Sequence, residues 1–286
     1  MIRNFIDGLM NYGFLRNAIV TATIIGIISG VIGCFIILRG LSLMGDAISH
    51  AVLPGVAMSY MLGGSYFIGA SAFGLLAAAL IGFISDKSKL KNDTAIGIVF
   101  SAFFALGIIM ISFAKSATDL YHILFGNVLA VRQSDIRITG IVGIIVILFV
   151  ILFFKELKIS SFDPMMARAG GLSTKAFHYA LMFLLTLVAV SALQTVGTVL
   201  VIAMLITPAA TAFMLTDRLS VMVFLAAGFG VLAAVIGLFF SYSYNLASGA
   251  AIVLTCAAFF IVAFLFSPKK GILWKRKEKE EDEESV

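Results

Sequence analysis

Arg39-Gly40-Leu41-Ser42-Leu43-Met44-Gly45-Asp46-Ala47-Ile48-Ser49-His50-Ala51-Val52-Leu53-Pro54-Gly55 decides the fold, because it sets an acid and an imidazole inside an otherwise apolar chain. From Asn17 to Ser85 the only formally charged side chains are Arg39 and Asp46, and His50 is the only histidine. Asp46 and His50 are spaced i, i+4, so on a helix they share one face. Ionisable groups at membrane depth are costly and are retained where they have a partner, an ion or a substrate. The pair reads as half of a divalent-metal site on a transport path.

Pro54 strengthens that reading. Proline has no N–H, so a helix that contains it leaves the His50 carbonyl without its usual partner and bends; Gly55 loosens it further. A freed carbonyl beside a carboxylate and an imidazole adds one more oxygen. Ser49 lies about 100° round the helix from His50, so it can only support the site from behind. Oxygen and neutral nitrogen donors together suit Mn²⁺, Zn²⁺ and Fe²⁺. Two ligands are too few to close a site, whereas a two-fold dimer would bring two of each to its axis. The competing reading pairs Asp46 with Arg39 and has His50 bonded to a nearby backbone carbonyl.

The surrounding chain is membranous. Of its 286 residues 61% are hydrophobic and 12% charged, against about 25% charged in soluble domains. The apolar residues fall in long blocks, which predicts an all-α, polytopic integral membrane bundle rather than a barrel. Blocks occur at 17–38, 46–62, 66–85, 94–114, 138–154, 178–193, 196–216, 220–242 and 247–267. A full span needs about 20 residues, and the second, fifth and sixth blocks are short. The expectation is eight to nine transmembrane segments. Gly26, Gly30 and Gly33 put a small-residue stripe on the first span for close helix packing. Cys34 and Cys256 fall inside apolar blocks and read as small buried hydrophobes.

Charge sets the orientation. The net charge of +5 is carried in loops and the tail, so it orients the chain in lipid and does not point to nucleic acid. Lys87, Lys89 and Lys91, then Lys155, Lys158, Arg168 and Lys175, then the lysines and arginines after Ser267, all place their segments in the cytoplasm. Residues 115–137 then lie outside, despite Lys115, Arg132 and Arg137. Residues 1–16 read as an interfacial helix with Ile2, Phe5, Ile6 and Leu9 on one face. Arg3 and Arg16 lean the N-terminus inward, which makes 46–62 a broken or re-entrant helix and the full spans eight. Residues 17–267 form the transmembrane domain. Residues 268–286 are a charged cytoplasmic tail, with Trp274 at the headgroup belt.

The longest cytoplasmic loop has its own punctuation. Asp163 and Pro164 are an N-cap and first-turn pair, and Gly170 with Gly171 is a stop. Between them Met165, Met166 and Ala167 form a short exposed helix suited to docking on a partner. His122 and His178 read as end-of-span histidines. The chain has no P-loop, HExxH, CxxC or GxSxG, so it is not itself an enzyme, and any ATPase is a separate polypeptide.

Four stretches in order carry a resemblance: Arg39 to Gly55, Lys91-Asn92-Asp93-Thr94-Ala95-Ile96-Gly97, Leu124-Phe125-Gly126-Asn127-Val128-Leu129-Ala130-Val131, and Leu205-Ile206-Thr207-Pro208-Ala209-Ala210-Thr211-Ala212. Together they resemble the permease subunits of ABC importers for manganese, zinc and iron, over nearly the whole hydrophobic chain. The resemblance implies a permease homodimer in a bacterial cell membrane, two ATPase subunits and an extracellular metal-binding protein. It implies that Asp46 and His50 of each protomer meet the ion. Half of those ligands are carboxylates, which ranks manganese first, zinc second and iron third. The resemblance also implies that 162–175 couples to the ATPase and that Pro208 bends a span near the path. No cofactor is expected beyond the transported ion. Metal binding needs deprotonated ligands, so uptake should weaken toward acid pH. The alternative is a stand-alone carrier or channel for divalent cations. A membrane hydrolase ranks lower, for want of a nucleophile or a complete metal triad.

Overall fold

A bilayer core offers no water to backbone amides, so each apolar block closes its own hydrogen bonds as a helix. The computed structural model describes residues 2–88, 90–114, 128–267 and 271. Its helices are α1 Ile2–Asn11, α2 Gly13–Leu38, α3 Ser42–Ala51, α4 Leu53–Leu62, α5 Tyr66–Lys87, α6 Asn92–Ala114, α7 Gln133–Leu152, α8 Phe154–Phe162, α9 Pro164–Ala169, α10 Thr174–Val196, α11 Thr198–Leu215, α12 Leu219–Tyr244 and α13 Ser248–Phe266. Among the described residues, 8 helices are long and apolar enough to cross a membrane: α2, α5, α6, α7 and α10 to α13.

Two blocks that look short in sequence are full spans. The 138–154 block becomes the 20-residue α7, and 178–193 becomes the 23-residue α10. Their first turns are polar, with Gln133, Ser134 and Asp135 in one and Thr174 and Lys175 in the other. Polar first turns satisfy free amides and lie beyond the apolar stretch that a hydropathy count detects. Ser173 Oγ, for example, accepts from the Ala176 N–H at 3.3 Å.

The 46–62 block is broken, as Pro54 requires. α3 ends at Ala51, α4 begins at Leu53, and Pro54 occupies the first turn of α4. Leu62 joins α5 through Gly63-Gly64-Ser65, with Gly63 at a left-handed φ of 67° that glycine reaches without strain. At its other end the segment starts beside Arg39, which shares a cavity with Ser85 and Asp86 in the last turn of α5. α3 and α4 together therefore run the full length of α5, antiparallel to it. Of the two forms expected for 46–62, broken or re-entrant, the broken one is found, beside the 8 uninterrupted spans of the described residues.

Helix α1 fixes the other end of the bundle. Phe5 packs edge-on against Phe239 at 5.3 Å and Tyr242 at 5.9 Å, near the end of α12. The start of α12, Leu219, instead lies with Leu38 and Phe162. The N-terminal helix and Arg39 thus sit at opposite ends. The tail, Trp274 included, lies outside the described residues apart from Gly271, as do Lys89, Lys115 and His122.

α2 is the most enclosed of the long helices. Its small-residue stripe does what the spacing implies. A Cβ on Gly26 would stand 2.7 Å from the Gly230 backbone, and one on Gly30 would stand 2.7 Å from the Ala226 carbonyl, so α2 and α12 touch backbone to backbone. Gly33 meets α11 at the Leu205 carbonyl. Gly26→Ala should therefore destabilise the protein by about 1–3 kcal/mol through overpacking. Gly228→Ala, where a Cβ meets nothing within 4 Å, should be tolerated. Thermal unfolding of the detergent-solubilised variants checks this; equal melting temperatures would show that the α2–α12 contact is not limiting.

Candidate metal site

Asp46 and His50 come from successive turns of α3 and meet, with Asp46 Oδ1 3.4 Å from His50 Nε2. Their side chains are 45% and 24% exposed, respectively. Leu43, one turn earlier, and Met58 and Met61 on α4 are exposed too. The pair thus looks out of the protomer along an open stripe. The opposite side of α3 is sealed: Met44, Ala47, Ile48 and Ala51 are buried. Leu205 of α11 presses on Gly45, directly before Asp46. Gly74 of α5 faces Val52 and Ile48.

The environment of His50 is aromatic on one side. Phe100 and Phe104 of α6 meet the imidazole edge-on, with ring centroids at 5.6 and 5.4 Å. His50 Nδ1 is buried and, among the described residues, has no hydrogen-bond partner. Ser49 is turned away, its Oγ donating to the Gly45 carbonyl at 2.8 Å. Pro54 is buried against α6, where a Cβ on Gly107 would lie 3.2 Å from its Cδ. Pro208 is buried inside α11, whose contact with α3 is made by Leu205. It shapes the neighbour of the pair rather than the pair.

The alternative reading of the pair does not survive. Arg39 does not reach Asp46: its Nε donates to Ser161 Oγ at 3.1 Å and its guanidinium NH₂ to Ser160 Oγ at 2.9 Å. Nor does His50 hold a carbonyl through Nδ1. Among the described residues no three His, Cys, Asp or Glu cluster as a metal site. Asp46 and His50 are thus two possible donors on an open side, too few to close a metal site by themselves.

At the Arg39 end lies a cavity of about 450 Å³, lined by residues that include Arg39, Asp86, Asn92, Arg168, Lys175 and His178. Lys175 Nζ pairs with Asp86 Oδ2 at 2.9 Å, and Arg168 Nε donates to Thr174 Oγ1 at 3.1 Å. Burial lowers the Arg39 pKa from its ordinary value, but guanidinium stays charged in proteins. The two serines give that charge its dipoles.

Beside this cavity stands α9. Asp163 Oδ1 accepts from the Met166 N–H at 2.9 Å, and Pro164 opens the helix, as the sequence implies. The chain leaves through Gly170 and Gly171, the latter at φ 81°, with the Leu172 N–H on the Ala167 carbonyl at 2.9 Å. The helix itself is only Pro164–Ala169, 6 residues, because Phe162 closes α8 and Thr174 and Lys175 open α10. Ala167 is buried, whereas Met165 and Met166 are 79% and 68% exposed. Of the third motif, Val128–Ala130 is a single 3₁₀ turn, and Leu124 to Asn127 lie outside the described residues.

Sequence reasoning did not find Phe100, Phe104 or the Arg39–serine link. The two phenylalanines are spaced i, i+4, but apolar residues on an apolar helix give no contrast. Ser160 and Ser161 are 121 and 122 residues from Arg39, a pairing that no local pattern encodes.

A helical membrane bundle with a paired acid and imidazole facing its open side is the architecture of an ion-translocating permease. Residues 11–267 match the ABC 3 transport family, and the chain belongs to it. It is 67% identical over 273 residues to the manganese transport system membrane protein MntC of Listeria monocytogenes, covering 96% of this chain and 98% of that protein. It is 57% identical over 279 residues to the manganese import system permease protein ScaB of Streptococcus gordonii, covering 98% and 100%. Among solved structures, PsaBC from Streptococcus pneumoniae in complex with Fab superposes with a TM-score of 0.86 at 57% identity, over 94% of this chain and 98% of that one. Membership of an ABC family removes the stand-alone carrier.

Hydrogen bonds to a charged group are worth about 1.5–3 kcal/mol. Arg39→Met should therefore destabilise the protein measurably, as should Ser160→Ala with Ser161→Ala. The combined variant should lose less than the sum, because both remove the same link. A double-mutant cycle on melting temperature tests this; strict additivity would mean that the guanidinium and the hydroxyls are not coupled.

Proposed function

We propose that this chain is the membrane permease of an ATP-driven manganese importer, with zinc and iron as poorer substrates, and that it works as a homodimer. The observation that carries the reading is a carboxylate and an imidazole on the exposed stripe of a helix that crosses the bundle. Facing lipid, that carboxylate would be prohibitively placed. Facing a second copy across a two-fold axis, it becomes part of a site of two oxygens and two nitrogens. Such a donor set accepts Mn²⁺. The names of the relatives support manganese over zinc, where donor chemistry alone is indifferent.

In this reading the lysine-rich end of the bundle, with Lys87 and Lys175, faces the cytoplasm. The N-terminal helix α1 then lies at the outer surface, the reverse of the lean given by Arg3 and Arg16, and α13 delivers the tail inside. An extracellular metal-binding protein hands the ion to the outer side. The ion exchanges water for Asp46 and His50 of both protomers. Two ATPase subunits grip α9 from the cytoplasm, and their closure moves α8 and α9 against the helices that bear the site. α9 is suited to this: its cap and stop fix it as a short rigid knob with two exposed methionines.

Asp46→Ala and His50→Ala should each reduce cellular uptake of radioactive Mn²⁺ to background while the permease remains in the membrane at normal level. Uptake that persists in both variants would reject the site. Met165→Glu with Met166→Glu should leave the permease folded and abolish co-purification of the ATPase. An intact complex carrying both charges would show that the ATPase docks elsewhere.

A further inference from the structure

His50 is oriented in an unusual way for a metal ligand. Its Nε2 lies 3.4 Å from Oδ1 of the half-exposed Asp46. Its Nδ1 is buried within its own chain and has no acceptor among the described residues. A second copy of the chain cannot supply one, because the atom is already closed off. Nε2 is therefore the nitrogen left to ligate an ion, and the neutral ring then carries its proton on Nδ1. Metal-ligating histidines almost always donate that N–H to a carboxylate, carbonyl or water, which fixes the ring and raises its basicity. Here the ring is fixed instead by Phe100 and Phe104. These stack on each other at 5.7 Å with 17° between planes. Both meet the imidazole edge-on, at 68° and 83°.

We propose that Phe100 and Phe104 are positioning residues that set the residence time of the transported ion. They hold the His50 ring in its ligating orientation while withholding the hydrogen-bond acceptor that would make it a stronger donor. The inference rests on the reading of Asp46 and His50 as ion ligands. A weak N–H···π contact is the most these rings can offer Nδ1, and it polarises the imidazole far less than a carboxylate does. A storage or catalytic site gains from a tightly held metal. A transport site must select the ion and then release it. Dry aromatic packing gives His50 geometric precision without added ligand strength.

The test compares Phe100→Gln and Phe104→Gln with Phe100→Leu and Phe104→Leu in the assembled permease–ATPase complex in lipid nanodiscs. Equilibrium Mn²⁺ binding and Mn²⁺ uptake are both read. The leucine variants free the ring and should bind Mn²⁺ more weakly. At the position whose amide oxygen reaches Nδ1, glutamine should bind more tightly, by up to about tenfold, and transport more slowly. A role confined to packing moves glutamine and leucine in the same direction. Glutamine variants that bind no tighter than leucine variants at both positions overturn the proposal. A second measurement needs no variant: Cu²⁺ bound to the native complex is examined by pulsed electron paramagnetic resonance of the remote histidine nitrogen. A quadrupole coupling typical of an imidazole without a hydrogen-bond acceptor is expected, and one typical of a hydrogen-bonded imidazole overturns the proposal. Full Mn²⁺ binding by His50→Ala would instead remove the ligand assignment beneath it.

Discussion

A carboxylate on the open face of a helix that crosses a bilayer is the constraint from which the rest follows. The Asp46 side chain is 45% exposed, on the side of α3 away from its buried Met44, Ala47, Ile48 and Ala51. It cannot be neutralised by Arg39, which is committed to two serines at the end of α8. Hydrocarbon does not solvate it. What remains is water, an ion, or a second protein surface, and in the proposed dimer an ion shared by two copies would supply it. The break at Val52 belongs to the same logic. A proline four residues after His50 removes a backbone donor at the depth where an additional oxygen is useful, and α4 continues the traverse so that no backbone edge is left to lipid.

Holding that helix in place requires neighbours that come very close. Lipid tails are as apolar as leucine, so helix association in a membrane depends on packing and not on the hydrophobic effect. The bundle answers with small residues. Gly26 and Gly30 bring α2 onto α12, Gly33 brings it onto α11, and Gly55 brings α4 onto Gly69 of α5. Leu205 lies between Gly33 and Gly45 and so ties α2 and α3 to one residue of α11. The face of α3 behind the pair is therefore rigid, and the face in front is open.

The Arg39 end couples differently. Arg39 sits where α2 hands over to α3, next to Gly40 in a left-handed conformation with φ 65°. Its serine partners lie two and three residues before Asp163, the cap of α9. One side chain thus joins the turn that begins the ligand-bearing helix to the turn that ends in the exposed methionines. These hydrogen bonds are a polar link between the start of α3 and the approach to α9, separate from the packed core.

The sequence by itself determined the class of the molecule, the helical spans, the broken segment at Pro54, the small-residue stripe and the capped helix at Asp163. Each is written in neighbouring residues: run length, an i, i+4 step, a missing N–H, an Asp-Pro pair followed by two glycines. It also isolated Asp46 and His50, because a charge in an apolar run stands out. Only the tertiary structure decided that 42–62 traverses the bundle, since topology depends on what packs at each end and not on the two arginines near the N-terminus. Only it showed which partner Arg39 takes, which nitrogen of His50 is buried, and that Phe100 and Phe104 pack against the imidazole. These depend on contacts across 50 to more than 120 positions, made by apolar and hydroxyl side chains that look like every other residue of their type until the helices come together.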